Sequence, residues 1–252
     1  MAGFELLIDE LWDSVESLSA GHATRQFCWP GPTEALVDGL CVYVGPGANP
    51  GIILRSDTFV ELGNPVAGSV AMVLWSDDPS RVVDGRITLV GPDIPDCEAE
   101  SLPFGQVLLA AGPALSPADH GALLQSQHCG DEIEGYMLRS TPDHVWGRVS
   151  RQSAAQGFDF ETLGRASLHL LKSAEPRVTS AEVLYVTAGK SEVQALTDLA
   201  IRSRETGTEM VKEVWKEQGF DVDCQLDCHS CSDEPVCDDI RDLIATTKAA
   251  KR

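Results

Sequence analysis

VWGRVSRQSAAQGFDFETLGRASLHLLKSAEP, Val145–Pro176, holds two kinds of regular element in one run. Its opening VWGRVS reads as a strand. From about Phe160 to Ala174 the pattern turns helical, with Leu163, Leu170 and Leu171 on one side. Next comes AEVLYVT, Ala181–Thr187, a second strand. Upstream, VAMVLWS (Val70–Ser76), GRITLVGPD (Gly85–Asp93) and FGQVLLAAG (Phe104–Gly112) are strand-like runs, rich in β-branched residues and closed by Gly, Pro or Asp. A shorter strand candidate, GLCVYVG (Gly39–Gly45), lies in the Gly/Pro-rich stretch before them.

Helices fill the intervals. Phe4, Leu7, Ile8, Leu11, Trp12, Val15 and Leu18 recur at helical spacing and form one apolar stripe, read as packing. Ser116-Pro117-Ala118-Asp119 starts another helix, with Ser116 as cap and Pro117 in the first turn. A long helix is expected from Ser191 to about Gln218, with Ser191 and Gln194 as a capping box and Gly219 as the stop. Alternating strands and helices argue for an α/β, or mixed α+β, fold in which a sheet is flanked by helices.

The densest chemistry lies near the C-terminus, where Cys224, Cys228, Cys231 and Cys237 are spaced C-x3-C-x2-C-x5-C. Thiolates at such gaps converge on a soft metal, and the polar loop that carries them has too little apolar surface to order itself. A [4Fe–4S] cluster is the expectation, zinc the alternative, and disulfides or loose thiols remain open. His229, inside the loop, is read as solvated. The fold is accordingly expected to carry a small C-terminal cysteine-ligated metal lobe. Three regions follow: 1–56, a helix and a loop-rich segment; 57–219, the α/β body; and 220–252, the cysteine loop and a terminal helix.

Cys28, Cys41, Cys97 and Cys129 are scattered and are expected to be buried structural thiols. The first apolar stretch is amphipathic and acidic, unlike a secretory signal, and no run approaches membrane-spanning length. A cytoplasmic location is expected. The chain has 39 acidic against 19 basic residues and a formal charge of −20. That balance disfavours nucleic acid and anionic membranes as partners and favours a basic protein partner. Between Met137 and Arg177, however, Arg139, Arg148, Arg151, Arg165, Lys172 and Arg177 outnumber the acids, suggesting a locally positive surface. Asp93 and Glu61 are read as turn-capping acids at strand ends, and His120, His128 and His144 as solvated or capping. Motifs for nucleotide hydrolysis and serine hydrolase chemistry are absent from the sequence.

DTFVELGNP (Asp57–Pro65), DGRITLVGPDI (Asp84–Ile94), EIEGYMLR (Glu132–Arg139) and the Val145–Pro176 run together resemble the β subunit of the CO dehydrogenase/acetyl-CoA synthase complex. The resemblance covers about Asp57 to Thr187 and implies that family's α/β region before the metal domain. In the family, two nickel positions join a [4Fe–4S] cubane held by four cysteines, and a Cys-Gly-Cys chelates the inner nickel. Here Cys228 and Cys231 match the opening pair, Cys237 follows after a shorter gap, Cys224 is additional, and no Cys-Gly-Cys occurs. The resemblance therefore implies a component that has lost nickel-dependent acetyl-CoA synthesis. It would act in electron transfer or in docking CoA, an acyl-CoA, or a corrinoid or redox protein. It also implies a CoA-facing surface at Trp146, Arg148 and Arg151. The alternative is a zinc-stabilised protein-binding module with no redox role.

Overall fold

Runs such as FGQVLLAA have no polar face, and a strand of that kind is stable only with both sides covered. The computed structural model, which describes residues 4–48, 52–97, 100–127, 129–141 and 143–217, satisfies this with two sheets and six α-helices among the described residues. In chain order these are α1 (Glu5–Ser19), β1 (Thr24–Cys28), β2 (Thr58–Leu62), β3 (Ser69–Ser76), β4 (Arg86–Val90), β5 (Ser101–Leu102), β6 (Phe104–Ala111) and α2 (His120–Ser126). Then follow β7 (Tyr136–Thr141), β8 (His144–Ser150), α3 (Arg151–Ala155), α4 (Phe160–Ala174), β9 (Ser180–Val186), α5 (Lys190–Ala195) and α6 (Thr197–Glu217).

The larger sheet is mixed, in the order β1-β4-β9-β6-β3. β4 runs parallel to β9 and β6 parallel to β3, while β9 and β6 are antiparallel. All eight residues of β6 are buried. The smaller sheet has the order β5-β2-β8-β7, with β8 antiparallel to both neighbours. Phe104, Phe160 and Tyr185 stack within 5.0–6.0 Å of one another and fasten α4 to the larger sheet. The side chain of Asp159 caps α4 by accepting from the Thr162 N–H at 2.7 Å. The α1 stripe holds: Leu7, Ile8, Leu11 and Val15 are buried, each contributing roughly 1.5–3 kcal/mol relative to exposure.

Residues 1–211 form one compact unit and residues 212–252 a second, of which only the last six residues of α6 are described. The mixed α/β expectation stands, but its metal lobe requires correction. Among the described residues no group of three or more His, Cys, Asp or Glu side chains could hold a metal ion. Cys224, Cys228, Cys231 and Cys237, with His229, lie outside the described residues, so the fold established here is the two-sheet body without such a lobe.

Two element expectations also change. GLCVYVG is not a strand: Val44 makes a single antiparallel bridge to Ile133. The facing segment coils into a 3-10 turn at Cys129–Glu132, so no ladder can extend. The long C-terminal helix is two helices. At Leu196 the N–H turns back to the carbonyl of Val193 at 3.2 Å, which tightens the chain before α6 begins. Ser191 is not the cap; its hydroxyl donates to Glu192, and Gly189 occupies the cap position.

Candidate functional site

Trp146 and Arg148 stand two residues apart on β8 and so share a face of the smaller sheet. Trp146 faces Arg139 across the β7–β8 ladder, and Arg148 faces Glu61 on β2. The loop from Gly63 to Gly68 closes over this end. Asn64 accepts from the N–H groups of Val66 and Ala67 at 3.0 and 2.8 Å, and Gly63 takes φ 70°, where a Cβ would meet the Val145 carbonyl. Lys190, at the start of α5, lays its stem against Gly68 and donates to the Val66 carbonyl at 3.0 Å.

These elements enclose a cleft of about 800 Å³. Trp146 forms part of its wall, with Arg139, His144 and Lys190, and no carboxylate is among its described lining residues. His144 is held by the Ser69 carbonyl, 2.9 Å from Nδ1. For a chain of charge −20, a wall with cations and an indole but no acid is a local reversal of sign. The volume is that of a small-molecule or cofactor site.

The sequence-predicted trio does not converge on this cleft. Arg148 donates through Nε and Nη2 to one oxygen of Glu61 at 2.9 and 2.7 Å and through Nη1 to the Ile53 carbonyl at 3.0 Å. Its guanidinium lies 4.7 Å from the centre of the Trp146 ring, so it positions the indole by a cation–π contact from outside the cleft. Arg151 is exposed, donates to the Ser56 carbonyl at 3.2 Å, and lines a separate hollow of about 220 Å³ with Arg55, Glu61 and Glu100.

The positive run between Met137 and Arg177 is mostly consumed inside the fold. Arg165 is buried, donates to the Leu36 and Asp38 carbonyls and stacks on Trp29. Lys172 pairs with Asp84 at 2.7 Å, and Arg177 pairs with Asp119 and Glu175. Asp93 is buried and does cap: one oxygen accepts from the N–H groups of Ile94 and Phe160 at 2.7 and 3.0 Å, tying the end of β4 to α4. Burial pushes its pKa up, partly opposed by those two donors.

Other sequence expectations need revision. Cys28 and Cys41 are exposed and Cys97 is half-buried; Cys28 ends an exposed edge strand and Cys41 sits in a turn, so neither reaches the core. His120 is buried, not solvated, and His128 lies outside the described residues. The cleft residues Arg139, His144 and Lys190 were not anticipated as a group. They come from β7, β8 and α5, and only the closed fold brings them together.

The family model for the CO dehydrogenase/acetyl-CoA synthase complex beta subunit matches residues 41–193, which include Trp146, Arg139, His144 and Lys190. The acetyl-CoA decarbonylase/synthase complex subunit beta 1 of Methanosarcina thermophila is 28% identical over 183 residues, covering 71% of this chain and 38% of that protein. The corresponding subunit beta of Methanopyrus kandleri is 28% identical over 188 residues, 73% of this chain and 40% of its own length. That of Methanothermobacter thermautotrophicus is 29% identical over 182 residues, 71% and 38% respectively. The chain spans about two fifths of the length of these relatives. With the match extending over more than half of its residues, the chain belongs to the family of CO dehydrogenase/acetyl-CoA synthase complex beta subunits.

Proposed function

We propose that this chain acts in acetyl-CoA or one-carbon metabolism as an accessory component that holds CoA or an acyl-CoA and docks a protein partner in the cytoplasm. The observation that carries this reading is the Trp146 cleft, cationic and free of acids among its described lining in a strongly acidic chain. CoA joins clustered phosphates to an adenine and an amide-containing arm. Cationic side chains complement the phosphates, and an indole offers the adenine a stacking face. Arg148 keeps that indole in place by its cation–π contact. The relatives' names specify acetyl-CoA decarbonylase/synthase complexes, which agrees with a CoA compound as the ligand.

By their spacing, Cys224, Cys228, Cys231 and Cys237 would hold a [4Fe–4S] cluster with a redox role; zinc in its place would stabilise a protein-binding module with no redox role. A cluster would suit exchange of electrons with a corrinoid or redox protein.

Titration of CoA followed by tryptophan fluorescence tests the cleft. Trp146→Ala and Lys190→Ala are each expected to weaken binding by roughly tenfold, equivalent to about 1.4 kcal/mol. Equal affinity in both variants and the unmodified chain would remove the cleft from the reading.

A further inference from the structure

We infer that His144 determines which base the Trp146 cleft accepts: its Nε2 takes a hydrogen bond from the exocyclic amine of adenine, so an adenine nucleotide is preferred over the same nucleotide without that amine. The inference rests on the CoA reading of the cleft and adds to it the residue that recognises the base.

The anchor of the ring decides its tautomer. Nδ1 of His144 lies 2.9 Å from the Ser69 carbonyl, with the Ser69 hydroxyl farther off at 3.4 Å. A carbonyl oxygen only accepts, so the close contact requires the hydrogen to sit on Nδ1. In the neutral imidazole Nε2 is then a bare acceptor. Among the described residues nothing donates to it. His144 is exposed and forms part of the cleft wall, so with Nδ1 turned to the backbone of β3 the opposite edge, which carries Nε2, is the one open to a guest.

Strand geometry sets that acceptor beside the stacking face. Along β8, His144, Trp146 and Arg148 alternate with the buried residues Val145 and Gly147, so the three share the open side of the strand, each roughly 7 Å from the next. Arg148 covers the indole from its own side, with the guanidinium 4.7 Å from the ring centre. A flat guest therefore stacks on the other side, the one turned to His144. The neighbouring cations, Arg139 and Lys190, carry donors only; they suit phosphate oxygens and cannot receive the hydrogen of an amine. Nε2 can. A purine stacked on Trp146 with its amine toward His144 satisfies both groups, and a purine lacking the amine leaves Nε2 without a donor.

The probes are CoA and a CoA analogue with unsubstituted purine in place of adenine, titrated by calorimetry into the full chain. CoA is expected to bind about tenfold more tightly, the value of one hydrogen bond, and His144→Ala should bring the two affinities to within about twofold. The unmodified chain supplies a second measurement that needs no variant. Its imidazole nitrogen resonances should show the hydrogen of His144 on Nδ1, and the Nε2 resonance should move toward that of a hydrogen-bonded acceptor with CoA and not with the purine analogue. Equal saturable binding of the two compounds, a preference that survives in His144→Ala, or a hydrogen on Nε2 in the free chain would overturn the assignment of His144 and leave the CoA reading standing. Failure of both compounds to bind would overturn the two together.

Discussion

Asp93 shows what one residue does in two roles. In the sequence it is an acid at the end of a strand, and capping follows from the residue type; that it caps two elements at once, Ile94 beside it and Phe160 far along the chain, depends on tertiary closure. Its raised pKa has a testable sign. The folded chain binds the proton at a higher pH than the unfolded chain, so between the ordinary carboxylate value of about 4 and the raised value, stability falls as pH increases. Glu182, buried against Arg86, is shifted in the same direction by the same cause. The unfolding midpoint of the unmodified chain should therefore gain on that of Asp93→Asn as the pH falls through this window. A difference that shrinks on acidification would mean that Arg25 and the two N–H donors hold the carboxylate ionised. The basic residues teach the opposite lesson to Asp93: composition counted Arg165 and Lys172 as surface charge, but their long stems are buried and their heads are satisfied inside the fold.

Elements with a strong internal pattern were legible. The α1 stripe, the apolar runs of β3, β4, β6 and β9, and the α4 region declare themselves through periodicity or length. Those that depend on a partner were not. β1, only five residues long and mostly exposed, exists because it pairs with β4; Val44 lacks an extended partner and remains a lone bridge. The division between α5 and α6 at Leu196 has no Gly or Pro to announce it. Gly91 marks where β4 must end: it has φ 117°, and an added Cβ would collide with the backbone of Ala188, just beyond the neighbouring β9. Gly91→Ala combines strain with a backbone clash and is expected to cost about 3 kcal/mol, read from the denaturant midpoint at unchanged slope. A change within about 0.5 kcal/mol would show that this crossing yields easily.

At the scale of the whole molecule, the site was legible in part. Trp146 could be singled out from the sequence, and the structure places it in a cleft wall; Arg148 and Arg151, its neighbours in sequence, are directed elsewhere by Glu61 and Ser56. The residues that wall the cleft with Trp146 come from three separate elements, and no spacing rule links Arg139, His144 and Lys190. Iron, zinc and sulfide analysis of protein purified without oxygen tests the cysteine set independently of the cleft. Iron with equimolar sulfide, lost when Cys228 and Cys231 are replaced by serine, is the expected result, and the absence of both iron and zinc would exclude a metal role for these thiols.

The cleft itself is tested most directly by calorimetry of the unmodified chain with CoA, with pantetheine as the control that lacks the nucleotide and its phosphates. Saturable binding of CoA, weakened by added salt, with pantetheine bound at least about tenfold more weakly, is the expected result. No heat of binding with CoA, or equal affinity for the two compounds, would contradict an acid-free cationic cleft built for a phosphate-bearing cofactor.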